Sequence, residues 1–309
     1  MRKACLNAVY ELAKTDERIL FIGSDLGFGV LDEFKKEMPD RFFMEGIAEA
    51  NVIGMAAGLA MEGKIPYLNT IAPFFTRRGF EQILLDLCLH HVNVRFIGNG
   101  GGLVYAPLGP THLAFEDMAV MRAIPNMTIV APADADEMRR LMPQTIDYSG
   151  PIYIRLAKGF DPIVTSGNNP FQIGKAISMR KGDDALILTT GITLKLALEA
   201  AKILSGSGIE AAIIHLHTVK PLDRDAILDQ ANRTRVIVTI EEHSIIGGLG
   251  GAVAELVAET DFKTPKRFRR IGIPDVFPDD YGSQASLMAR YGITTDHLVT
   301  TVRSLLKEA

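Results

Sequence analysis

The sequence predicts two α/β domains, each a mainly parallel sheet flanked by helices. Three observations carry that expectation. Short β-branched runs alternate with longer helical patterns along the whole chain, the order that builds parallel sheets with helical crossovers. The length of 309 residues suits two units of ~150 residues. Positions 158–173 include Pro162, Gly167, Asn168, Asn169 and Pro170, which interrupt helices and strands alike and mark a linker. The expected division is 1–165 and 166–309.

In the first half, strands are expected at 19–25, 65–70, 92–98, 127–131 and 152–156, each short, apolar and bounded by turn-forming or polar residues. Helices are expected between them at 2–14, 48–61, 74–90, 115–123 and 133–146, where apolar residues recur at helical spacing. The second half gives strands at 185–190, 210–216, 236–241 and 268–273, with helices at 193–204, 223–230, 251–260, 283–291 and 294–307. There is no fixed-period repeat and no low-complexity tract.

Composition excludes several function classes. Thirty-three basic against 37 acidic residues give a net charge of −4, so nucleic acid and anionic membranes are not expected partners. Cys5 and Cys88 are the only cysteines, too few for a disulfide framework or a thiolate zinc site and suited to a reducing cytoplasm. The first fourteen residues carry Arg2, Lys3, Glu11 and Lys14 and lack the apolar core of a signal peptide. The most apolar stretch, 46–61, contains Glu49 and Asn51 and falls short of the ~20 residues a membrane span needs. A cytoplasmic protein is expected.

A few residues stand out against this background. Glu49 lies near the start of a helix whose neighbours are almost all small or apolar. A carboxylate there needs a partner; it either favours the positive helix terminus or stands ready to share a proton with a ligand nitrogen. Gly54 and Gly58 leave a smooth face on the same helix, suited to a subunit contact. Phe74, Phe75 and Phe80, with Arg77 and Arg78 between them, fall where a strand gives way to a helix. Ligands of open α/β sheets bind at such ends, although the phenylalanines could equally be core. Gly98-Asn99-Gly100-Gly101-Gly102 is glycine-rich but matches no dinucleotide or P-loop fingerprint. Among the histidines, His112 sits in a Gly109-Pro110-Thr111-His112 loop, His90 and His91 point in different directions, and His215 and His217 alternate on one strand without an evident third metal ligand. His243 precedes the glycine-rich turn Gly247-Gly248-Leu249-Gly250-Gly251, an anion site or simply tight packing.

Taken in order, these motifs resemble the transketolase family, specifically its pyrimidine-binding and C-terminal domains. The carriers are Met1-Arg2-Lys3-Ala4, Gly23-Ser24-Asp25-Leu26, Gly46-Ile47-Ala48-Glu49-Ala50, the segment 75–82, Gly109-Pro110-Thr111-His112, Arg122-Ala123-Ile124-Pro125-Asn126, Ala131-Pro132-Ala133-Asp134 and Glu241-Glu242-His243-Ser244-Ile245-Ile246-Gly247-Gly248. The resemblance covers essentially the whole chain. It implies that Glu49 is the glutamate that hydrogen-bonds the aminopyrimidine of thiamine diphosphate. It implies that Phe75, or Phe74 if the register slips by one, stacks on that ring, with Asp25 and Arg78 also beside the cofactor. His112 is implied at the carbonyl or hydroxyl end of the substrate, and Arg155 and, more weakly, Arg2 at a sugar phosphate.

The family holds the diphosphate through Mg²⁺ on a preceding domain, with Gly-Asp-Gly followed at a distance by asparagine. The near match here, Gly182-Asp183-Asp184, has no such asparagine. The resemblance therefore implies a split enzyme. This chain is its smaller, C-terminal subunit, and a partner subunit supplies the diphosphate and Mg²⁺ half in an α2β2 assembly. Leu108 replaces an expected aspartate and Gly100 an expected phosphate-contacting histidine, which weakens selection for the usual ketose phosphates and allows an unusual sugar. The expected reaction is transfer of a two-carbon ketol unit from a ketose to an aldose. The alternatives are a 1-deoxyxylulose-5-phosphate-synthase-like condensation, the β subunit of a 2-oxo-acid dehydrogenase or decarboxylase, or an inactive scaffolding subunit.

Overall fold

A computed structural model describes residues 1–23, 29–157, 161–165 and 170–307. Among these residues, twelve strands follow in chain order: β1 (Ile19–Gly23), β2 (Phe42–Met44), β3 (Ile65–Ile71), β4 (Arg95–Asn99), β5 (Thr128–Val130), β6 (Ile152–Leu156), β7 (Ile177–Arg180), β8 (Ala185–Thr189), β9 (Ala211–His215), β10 (Thr218–Lys220), β11 (Val236–Ser244) and β12 (Arg267–Ile273). They form two sheets, ordered β10-β5-β6-β4-β3-β1-β2 and β12-β11-β8-β9-β7. Every pairing is parallel except β10 with β5 and β7 with β9.

The parallel strands read as unbroken apolar runs because helices cover both faces. β1, β3, β4, β6, β8 and β9 are buried at every residue. The helix Arg2–Thr15 buries Cys5, Leu6, Val9 and Ala13, one stripe at helical spacing laid against the sheet. The helix Glu49–Met61 buries Val52, Ile53, Ala56 and Ala57 against β3 and the 74–89 region.

Three strands were not expected from the sequence. β2, β7 and β10 are three or four residues long at sheet edges, too short to show a period. β10 also changes the domain picture, since a segment expected to belong wholly to the second domain pairs with β5 and completes the first sheet, Thr218 opposite Val130 and Lys220 opposite Ile129. The helix expected over 133–146 starts later because the Asp134 carboxylate accepts from the amides of Asp136 and Glu137 and so caps Ala135–Leu141. It tightens into a 3₁₀ turn at Met142–Thr145, where Pro143 has no N–H to continue the ladder. The helix expected over 74–90 is wound widely at Phe74–Arg78 and again at Ile83–Leu89, around a short α-helical piece, Phe80–Gln82. Such π turns gather at functional sites. Gly79 is required between them: a Cβ there would lie 2.1 Å from Ile53 Cδ1.

Candidate active site

The C-terminal ends of β1, β3 and β4 meet the starts of the Glu49–Met61 and Phe74–Arg78 helices, the edge of a parallel sheet where ligands bind. Glu49 opens its helix there, only 4% exposed. Its partner is Arg78, whose Nη1 lies 3.3 and 3.2 Å from the two carboxylate oxygens. The Arg78 guanidinium in turn lies 4.0 Å from the Phe74 ring centre. Phe75 points the other way along the turn, fully buried and edge-on to Phe96 at 5.2 Å. With Ile22, Gly46, Val52, Asn69 and Thr70, Glu49 and Phe75 line a small, partly open pocket of ≈10 Å³, about the room one water needs. A heterocyclic ring cannot sit inside it. Glu49 and Phe75 are buried at this edge of the sheet, and Phe74 and Arg78 are the more exposed side chains beside them.

The His112 loop closes the neighbouring side. Gly102 and Ala114 exchange backbone hydrogen bonds at 2.9 and 3.0 Å, tying the glycine-rich turn to the loop. Gly109 turns the chain with φ +76°, and the ring of Tyr281 from the second domain occupies the space a Cβ would fill. The His112 amide donates to Gly109 O at 3.0 Å, its Nδ1 is 2.9 Å from Thr111 Oγ1, and Phe74 meets its ring edge-on at 5.3 Å. The structure thus brings Glu49, Phe74, Phe75, Arg78 and His112 together. Asp25 lies outside the described residues.

Arg155 is placed differently from the expectation that it binds phosphate. It is 7% exposed. Its Nε and Nη2 donate to the two oxygens of Asp117 at 2.8 and 3.0 Å, and Nη2 also reaches Ala114 O at 3.1 Å and Glu242 O at 2.9 Å. Tyr153 Oη donates to the same Asp117 carboxylate at 2.7 Å. Burial alone would raise the Asp117 pKa; the Arg155 charge reverses this and holds the carboxyl below its ordinary range. The guanidinium fork ties Asp117 of the first domain to the Glu242 carbonyl of the second, committing Nε and Nη2 within the protein. Arg2, the weaker phosphate candidate, is partly buried at the start of the first helix, with no hydrogen-bond partner for Nε among the described residues.

His91, His215, His217 and His243 have partners within the fold. His215 Nε2 is 3.0 Å from Glu137 Oε2, both fully buried. His217 stacks on Phe171 at 4.0 Å, and burial pushes its pKa down to about 4. His91 bonds Ser149. His243 donates from Nδ1 to Ser244 O and accepts the Ala119 amide at Nε2, so its ring is spoken for on both sides. Glu241, not an anion, takes the Leu249 and Gly250 amides at 2.7 Å each at that glycine-rich turn. No group of three His, Cys, Asp or Glu side chains among the described residues could hold a metal ion. The sequence does not single out Asp117, and it marks Arg77 and Glu242 only within motifs, without a role of their own. Asp117 follows Glu116, so it does not stand out as a lone acid among apolar residues in the way Glu49 does.

Two mainly parallel sheets, with a buried carboxylate at the carboxyl edge of the first, define a two-domain α/β protein. The transketolase pyrimidine-binding domain matches residues 1–160 and the transketolase C-terminal domain residues 174–298. The chain belongs to the transketolase family. It is 39% identical over 300 residues to a 6-deoxy-6-sulfo-D-fructose transketolase subunit of Clostridium sp. (strain MSTE9), covering 97% of this chain and 92% of that one. It is 36% identical over 309 residues to one of the subunits of the apulose-4-phosphate transketolase of Phocaeicola vulgatus (strain ATCC 8482), covering 99% and 97%. A solved structure described as a split gene transketolase, inactive beta4 tetramer, superposes with a TM-score of 0.88 at 37% identity, over 99% of this chain and 97% of that one. No described helix is long and apolar enough to cross a membrane.

Proposed function

We propose that this chain is the C-terminal subunit of a split, thiamine-diphosphate-dependent transketolase, active only with a partner subunit. The observation that carries the reading is a buried carboxylate, Glu49, beside an aromatic pair at the carboxyl edge of the sheet. The similarity to transketolase subunits and to a split gene transketolase supports a second chain as the source of the remaining wall. The residues fit the aminopyrimidine end of the cofactor. Glu49 would meet a ring nitrogen, Phe75, or Phe74 in its place, would stack on the ring, and Arg78, with Asp25, would stand beside it. Bound thiamine diphosphate supplies the nucleophilic carbon and electron sink for exchanging a bond next to a ketose carbonyl. Mg²⁺ and the diphosphate belong to the partner on this reading, since Gly182-Asp183-Asp184, the near match to the family's metal motif, lacks the asparagine that should follow it.

The chain's own residues then divide the work. Glu49, shielded from water, holds a proton at the ring nitrogen it bonds, and its exchange with that atom is general acid–base work. Arg78 keeps the carboxylate compensated until a ring takes its place as partner. His112 reaches the oxygen-bearing end of the substrate from the loop above. Leu108, 49% exposed on the same loop, presents methyls where an acid would select a sugar hydroxyl, which supports an unusual ketose, phosphorylated or otherwise charged, as donor. Buried, free Cys5 and Cys88 suit a cytoplasmic setting, and α2β2 is the assembly proposed.

The test uses this chain reconstituted with its partner. Glu49→Ala should leave the complex intact by gel filtration and lower turnover by about 10²-fold or more. Full activity in the variant overturns the role of Glu49. Product analysis over a ketose series, with and without pyruvate, separates two-carbon transfer from a decarboxylative condensation.

A further inference from the structure

We propose that Arg77 is the positioning residue of the His112 loop, clasping residues 110–113 from outside the site. The proposal rests on the reading above, in which His112 faces substrate. The Phe74–Arg78 turn presents its side chains to two sides. Phe75 lines the Glu49 wall and Arg78 bonds Glu49 itself, whereas Phe74 and Arg77 face the loop. Arg77 Nε and Nη2 grip the two oxygens of Glu116, the latter at 3.0 Å. Nη2 also donates to Leu113 O at 2.8 Å, and Nη1 lies 3.4 Å from Thr111 O and 3.5 Å from Pro110 O. The guanidinium carbon stands 5.8 Å from the Phe115 ring centre.

An arginine has five N–H donors in a fixed fork, and these contacts use all of them on a single short segment. The segment needs it. Gly109 enters with φ +76°, Pro110 has no N–H to donate, and the carbonyls of residues 110, 111 and 113 belong to no strand ladder. Phe74 completes the arrangement, touching His112 on one side and the Arg78 guanidinium on the other. One helical turn therefore sets the spacing between the carboxylate wall and the substrate loop. The Arg77 side chain is 35% exposed and Glu116 24%, and exposed pairs of this kind contribute little to global stability. What the clasp fixes is where the loop stands.

The experiment compares Arg77→Ala, Arg77→Lys, His112→Ala and the Arg77→Ala/His112→Ala double variant in the reconstituted complex. Thiamine diphosphate binding by calorimetry, kcat and KM are all measured. Arg77→Ala should leave cofactor affinity within about twofold and lower kcat/KM about tenfold or more, as loss of orientation does. Lysine, a point charge without the fork, should recover only a small part. In the His112→Ala background, Arg77→Ala should cost less than about twofold more, because it acts through that histidine. Wild-type kcat/KM in Arg77→Ala, full rescue by lysine, or multiplying losses in the double variant overturns the proposal. Amide hydrogen exchange of the 109–114 segment in the free chain decides the clasp without reference to activity. It should speed up in Arg77→Ala and not in His112→Ala, and unchanged exchange overturns the clasp even if the complex proves to have no transketolase activity.

Discussion

At the scale of single residues, the site is a matter of who partners whom in a dry place. Glu49 is legible from sequence because its helix neighbours are apolar and the carboxylate is the odd one out. Arg155 is misleading, because the Asp117 that occupies it lies 38 residues away and no local pattern announces the pair. Glycines separate in the same way. Gly182, which resembles part of a metal motif, is explained by packing: a Cβ there would lie 2.3 Å from Glu210 O and 2.6 Å from the Ala211 carbonyl carbon, both backbone atoms that cannot swing aside. Gly109 meets only the exposed ring of Tyr281 but sits at φ +76°. Gly182→Ala should therefore destabilise the chain by about 1–3 kcal/mol in urea titrations with kcat/KM of the folded complex unchanged. Gly109→Ala should cost roughly 1 kcal/mol of stability yet raise KM, since it moves the His112 loop. Equal effects of the two on KM would contradict this assignment.

Elements were legible in proportion to how deeply they are buried. The central strands announce themselves as unbroken apolar runs, and β6 lies at the positions read from the sequence, 152–156. Edge strands β2, β7 and β10 were not legible, because three or four residues carry no period and β10 takes its partner from the other domain. The 74–90 segment reads as one helix since widening a turn leaves the apolar spacing nearly intact; within it Arg77 faces the 110–116 segment and Arg78 faces Glu49. The short helix Asp117–Arg122 illustrates what an element can hold: Asp117 anchors Arg155 and Tyr153, and Arg122 donates to Gly247 O across the domain boundary. Asp117→Ala leaves a buried guanidinium uncompensated and is expected to cost about 3–5 kcal/mol, whereas replacing Asp117 and Arg155 together by leucine and methionine should cost much less. Denaturant midpoints of the single and double variants check this, and equal losses would show that the ion pair is not what the element depends on.

For the whole molecule, the interface between domains is also where protonation and stability are linked. Glu242 reaches from the second domain to accept the Leu103 amide at 2.7 Å. Burial raises its pKa from the ordinary 4.5 to about 7, against the opposing pull of Arg155. Between those values the folded protein holds a proton that the unfolded chain has lost, so this group's stabilisation is complete below about 4.5 and is lost as pH rises through about 7. His217, on the segment that joins the two sheets, has the opposite sign. Burial lowers its pKa from 6.5 to about 4, so its contribution is present above 6.5 and lost as pH falls toward 4. Each shift corresponds to roughly 3 kcal/mol, and over much of the mildly acidic range the two slopes oppose each other. Glu242→Gln keeps an acceptor for the Leu103 amide and removes one of the two slopes. Urea titrations across pH should then show the variant gaining on the wild type by about 3 kcal/mol between pH 4.5 and 8. The variant's own stability should climb from about pH 4 to 6.5, as the His217 contribution is no longer masked. A variant-minus-wild-type difference that stays flat with pH would mean that Glu242 is ionised in the folded interface throughout, and that the weld between the domains is a fully charged one.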